Sequence, residues 1–116
     1  MQQRPIKKQE RLLIQHLLEL ADGRKDFELP QIVFDLDDDG LQTIRLCSDS
    51  RACYLHDLIQ AKYLDDDNIL VLITLTISNT NELYELEFWK VYSHKLITYP
   101  SPEKVKHSAQ KKIEVM

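Results

Sequence analysis

The segment Ile69 to Ser78 is aliphatic or β-branched at every position except its closing serine, and polar turns bound it on both sides, Asp65-Asp66-Asp67-Asn68 before it and Asn79-Thr80-Asn81 after it. Side chains of this kind suit a pleated surface, so the segment predicts a strand. The second turn leads straight into Glu82 to Tyr92, and the two runs form a hairpin. That hairpin commits the chain to a sheet. The other segments must extend the sheet or cover it.

One segment has the pattern of a cover. Ile6, Leu13, Ile14, Leu17, Leu18, Leu20 and Ala21 recur at helical spacing, with Lys7, Lys8, Arg11, Gln15 and Glu19 between them, so the helix is amphipathic. Pro5 suits its first turn, where a missing N–H costs nothing, and Gly23 suits its left-handed stop. After Pro30, Ile32 to Phe34 predicts a short strand, the acid-rich run Asp35-Leu36-Asp37-Asp38-Asp39-Gly40 a connection, and Leu41 to Cys47 another strand. Cys53 to Leu64 reads as a strand, with Tyr54 to Ala61 also compatible with a helix. Lys95 to Tyr99 suggests a short edge strand, and Pro100 and Pro102 end regular structure. The expected fold is α+β, an N-terminal amphipathic helix packed on an antiparallel β-meander of about four to five strands. Residues 1–100 form the single domain and 101–116 a basic, flexible or weakly helical tail.

With 116 residues, a second catalytic domain has no room. The two glycines and four prolines leave no material for a phosphate-cradling loop, so P-loop and dinucleotide-binding chemistry are excluded. The net charge of −4 is unevenly spread: residues 1–11 carry +3, residues 12–100 have seven Lys and Arg against sixteen Asp and Glu, and residues 101–116 carry +2. An acidic body repels a phosphate backbone and attracts a basic protein, which argues against nucleic acid as a partner. No apolar run reaches the roughly 18 to 20 residues of a membrane span, and no secretory leader is written, so the expected location is the cytoplasm. Cys47 and Cys53 are expected to be free thiols.

Several constellations invite a chemical reading. Asp35, Asp37 and Asp39 before Gly40 match the first half of a calcium loop, but the bidentate twelfth position falls on Leu46, so a solvated acidic turn is the simpler account. Asp65, Asp66 and Asp67 could also offer carboxylates, although runs at hairpin tips are normally solvated. Glu85, Glu87 and Lys90 share a segment with a nuclease-like look, but the acid such a core needs two positions before the lysine is Phe88. The four histidines, His16, His56, His94 and His107, lie on separate segments without ligand spacing. In a strand, Tyr84, Leu86 and Phe88 share one face and Glu85, Glu87 and Trp89 the other. Trp89 is expected to be core, with Lys90 laying its stem along apolar neighbours and its ammonium in water; the alternative is an exposed partner anchor.

Two stretches carry a resemblance. Arg4-Pro5-Ile6-Lys7-Lys8-Gln9-Glu10-Arg11-Leu12-Leu13-Ile14 and Glu82-Leu83-Tyr84-Glu85-Leu86-Glu87-Phe88-Trp89-Lys90-Val91, followed by Leu96-Ile97 and Pro100, resemble a family of small uncharacterised bacterial proteins classed as a domain of unknown function. The acid-rich loop ending in Gly40 is similar to that family's Asp-Asp-Gly turn. The resemblance covers most of residues 4–100, and implies a fold and a bacterial cytoplasmic setting but no catalytic residue. Asn79-Thr80-Asn81 departs from it, because relatives tend to have a glycine in that turn.

The functional expectation is a non-enzymatic binding domain, immunity-like or regulatory, that engages a basic protein through its acidic surface without a cofactor. Asp65, Asp66, Asp67 and Trp89 are its candidate contacts. The alternative is a small metal-binding or hydrolytic domain using Asp35, Asp37 and Asp39. A sheet covered by one helix leaves its second face open, which also suggests a twofold homodimer.

Overall fold

A computed structural model describes residues 2–21, 26–36, 40–93 and 95–109. The elements follow in the order β1 (Gln2–Pro5), α1 (Lys8–Leu20), β2 (Ile32–Asp35), β3 (Ile44–Arg45), β4 (Tyr54–Leu64), β5 (Leu70–Ser78), β6 (Leu83–Lys90) and β7 (Lys106–His107). Short 3-10 turns occupy Val91–Ser93 and Pro102–Lys104. All strands join one antiparallel seven-stranded sheet in the order β1-β2-β3-β6-β5-β4-β7. The fold is thus α+β with one α-helix among the described residues, but the sheet is larger than four to five strands and is not a simple meander. β3 pairs with β6, so the chain between β3 and β4 passes to the far side of the β5–β6 hairpin.

The β5–β6 hairpin stands as the sequence predicts, and β4 is a strand throughout, because the period-two alternation of Ile59, Ala61 and Tyr63 faces the same core as Val71, Ile73 and Leu75. Three cross-strand rows face α1: Ile59–Leu75–Leu86, Ala61–Ile73–Phe88 and Tyr63–Val71–Lys90. Leu13, Ile14, Leu17 and Leu18 of α1 are buried with these rows in one cluster. Asn81 takes φ 66° in the β5–β6 turn, which explains how this chain does without a glycine there: asparagine tolerates the left-handed region.

Three expectations fail at the ends of the chain. Pro5 does not start the helix; it closes β1, opposite Ile32, and α1 begins at Lys8. β1 lies at the edge of the sheet, where a residue without an N–H breaks no ladder. Lys95 to Tyr99 forms no strand, since its amides at Ile97 and Thr98 are taken by the Asp65 carboxylate. Residues 101–109 are part of the fold and not a tail: Val105 is buried in the core, His16 Nε2 meets the Val105 carbonyl at 2.8 Å, and β7 pairs with β4. Gly23 and the tail from 110 onward lie outside the described residues.

Tyr63 and Tyr99 bury their hydroxyls in this core with no protein partner among the described residues. Burial pushes both phenols well above their ordinary value. Tyr63→Phe and Tyr99→Phe are therefore expected to leave stability unchanged or raise it by up to about 1 to 2 kcal/mol, because an unsatisfied buried hydroxyl is removed. Thermal unfolding measures this, and a clear loss in either variant contradicts it.

Candidate functional site

The carboxylates that the sequence marks as candidates are mostly engaged in holding the fold. Lys90, at the end of β6, is completely buried, and its Nζ donates to Asp65 Oδ2 at 2.9 Å, Asp67 Oδ2 at 2.8 Å and the Lys95 carbonyl at 3.0 Å. All three ammonium hydrogens are thereby used. The expectation of a wet ammonium is wrong because Lys90 lies on the core face of β6, in the row with Tyr63 and Val71. Asp65 also accepts the backbone N–H groups of Asp66, Ile97 and Thr98. Burial works against its charge, but these amides and the Lys90 ammonium outweigh it and hold the carboxyl below its ordinary 3.8. Asp65 is thus not a solvated turn residue; it ties the β4–β5 turn to the segment after β6. Asp67 is also lowered, chiefly by Lys90. The exposed Asp66 accepts from the Thr98 hydroxyl. Asp65 and Asp67 are thus committed to Lys90, while Asp66 stays exposed with no cation paired to it among the described residues.

Asp35 has a similar fate. On β2 it receives Arg4 Nε and Nη2 at 2.8 and 2.9 Å, and the same guanidinium donates to Glu10 on α1 at 2.7 and 3.0 Å. Glu10 is 1% exposed and also accepts the Lys7 amide at 2.8 Å, closing the first turn of α1. One arginine therefore joins β1, β2 and α1 through two forked contacts. Asp37 and Asp39 lie outside the described residues. No group of three or more His, Cys, Asp or Glu side chains converges as a metal set among the described residues.

A groove of about 650 Å³ opens between residues 26–32, 46–48 and 81–83. Phe27, Leu29, Leu46 and Leu83 supply its apolar lining and Asp26, Glu28 and Glu82 its carboxylates; no Lys or Arg lines it among the described residues. Glu82 Oε1 accepts from the Thr80 hydroxyl at 2.8 Å and the Cys47 thiol at 3.3 Å, which orients the carboxylate. Burial pushes the Cys47 thiol up, with Glu82 adding to the shift, which favours the protonated thiol that donates to Glu82. Both cysteines are free, Cys47 buried and Cys53 exposed. The size of the groove falls in the range of ligand sites.

Trp89 is not core. At 52% exposure it stands on the side of the sheet away from α1, in the row Lys62–Leu72–Trp89 beside the row Gln60–Thr74–Glu87. The alternation along β6 explains this: with Leu86, Phe88 and Lys90 turned inward, residues 87 and 89 must face out. Glu85 pairs with Arg45 at 2.6 Å, and that guanidinium also lies over the Tyr84 ring.

Of the groove residues, sequence reading singles out Glu82 and Cys47 for other reasons and passes over Asp26, Phe27, Glu28 and Leu29. Their signal is an alternation of acidic and apolar residues just before Pro30, which resembles any loop until the tertiary fold places it beside Leu46 and Leu83. Among the described residues no helix is long and apolar enough to cross a membrane. No curated protein and no solved structure matches the chain. A family model does match over residues 3–100, and its span takes in β1 with Arg4, the whole of β6 with Trp89 and Lys90, and both sides of the groove; the chain belongs to that family, described as Domain of unknown function (DUF6984).

Proposed function

We propose that the chain is a non-enzymatic binding domain for a basic protein, held at the acidic groove between residues 26–32 and 81–83. The observation that carries this reading is the contrast between its carboxylates. Asp65 and Asp67 are paired with Lys90, and Asp35 and Glu10 with Arg4, whereas Glu28 and Glu82 line a concave surface with no cation opposite either among the described residues. An apolar floor with a negative rim suits a basic side chain whose stem is buried and whose charge is paired. An immunity-like or regulatory protein working in the cytoplasm is the concrete form of this reading, with no cofactor required.

The test is a fluorescently labelled arginine-rich peptide followed by anisotropy. Saturable binding that weakens as salt is raised is expected, and Glu28→Gln with Glu82→Gln should weaken it about tenfold or more. Equal affinity in that double variant would sink the groove as the binding surface.

A further inference from the structure

We propose that the sheet face away from α1 docks a basic protein surface, with an arginine of the partner lying over Trp89 and against Glu87 and Asp57. This rests on the reading of the chain as a binder of basic proteins and adds a second contact, on residues the groove does not use.

The composition of the face is the first argument. Trp89 at 52% and Tyr54 at 54% exposure stand with the half-buried Leu72 on a surface that no helix or strand covers among the described residues. Large, rigid aromatic side chains of this kind are the usual anchors of interfaces.

Charge identifies the occupant. Arg45 compensates Glu85, but no cation pairs with Asp57 or Glu87 among the described residues, and the Tyr54 hydroxyl is bonded to Asp57 Oδ1 at 2.9 Å. Glu87 is half-buried, and burial together with repulsion from Glu85 and Asp57 pushes its carboxyl up. An incoming guanidinium relieves that repulsion and finds a ring face on Trp89 two residues along the same strand face, so one group makes both an ion pair and a cation–π contact.

Symmetry argues against a second copy as occupant. A twofold dimer sets a patch against itself, which would bring the Asp57 and Glu87 carboxylates of both copies together, two from each copy against one Lys62 that already has a contact of its own.

Trp89 is the single tryptophan of the chain, so its emission reports on this face and not on the groove. Titration with an arginine-rich peptide lacking tryptophan and tyrosine is expected to change that emission saturably. Asp57→Asn with Glu87→Gln should weaken the change about tenfold while leaving the melting temperature where it was. Peptide binding seen by anisotropy, sensitive to Glu28 and Glu82 but silent in Trp89 emission, overturns this proposal and leaves the groove reading standing. Undiminished binding in the Asp57 and Glu87 variant also overturns it. So does an emission shift that follows protein concentration without peptide, with dimers in sedimentation, because a second copy then covers the face. Absence of binding by both readouts overturns this proposal and the groove reading together.

Discussion

Lys90→Met is expected to destabilise the protein by about 3 to 5 kcal/mol, because it leaves Asp65 buried without its cation, and breaking a buried pair by removing one partner carries that cost. The lost stability is a large part of the roughly 5 to 15 kcal/mol that holds a domain of this size. The effect has a pH signature. Asp65 and Asp67 lie below their ordinary 3.8 in the fold, so their contribution is present above that value and is lost as pH falls through the depressed ones. Lys90 lies above its ordinary 10.5, raised by Asp67 and Asp65 against the opposing effect of burial. Its contribution is present below 10.5 and lost as pH rises through the raised value. The stability difference between wild type and Lys90→Met should therefore be widest across the neutral range and narrow toward both extremes. Thermal unfolding of both proteins from about pH 2 to about pH 11 measures it. A variant that melts with wild type at neutral pH would show that the ammonium is not buried in a working ion pair.

Arg4→Met should cost about 3 kcal/mol or more for the same physical reason, since Glu10, at 1% exposure, loses the partner that offsets its burial. Asp35, more exposed, loses less. The distinguishing measurement is a double-mutant cycle by chemical denaturation. Glu10→Gln in the Arg4→Met background should recover part of the loss, because a neutral amide no longer demands a cation and can still accept the Lys7 amide. Arg4→Lys should rescue poorly, since an ammonium with three hydrogens cannot reproduce the four contacts by which the guanidinium grips both carboxylates in bidentate fashion. Losses that simply add would show that Arg4 and Glu10 are not coupled, and β1 would then owe its place to its four backbone pairings with β2.

Periodicity made the elements legible where one side chain pattern has one structural meaning. The amphipathic spacing of Leu13, Ile14, Leu17 and Leu18 marks α1, and the aliphatic run from Ile69 with its flanking turns marks the β5–β6 hairpin. Pro5 is ambiguous in the sequence because its fixed φ serves a helix start and an edge strand equally, and the choice depends on whether β2 is alongside. Lys106–His107 could not be read as a strand for a related reason: two residues carry no period, and only the open edge of β4 gives them a ladder.

The acidic runs show the same limit in electrostatic form. Sequence establishes that the body of the chain is acidic and which stretches hold the carboxylates, because charge and local spacing are properties of the chain as written. Whether a carboxylate is structural or free to meet a partner depends on cations far away in sequence, Lys90 for Asp65 and Arg4 for Asp35. Those pairings exist only once the sheet brings separate strands together, and the same assembly leaves Glu28 and Glu82 on a groove and turns Trp89 to the open face. A carboxylate's role follows from what desolvates it and what lies within a few ångströms of it, and both are set by contacts between elements, not by neighbours along the chain.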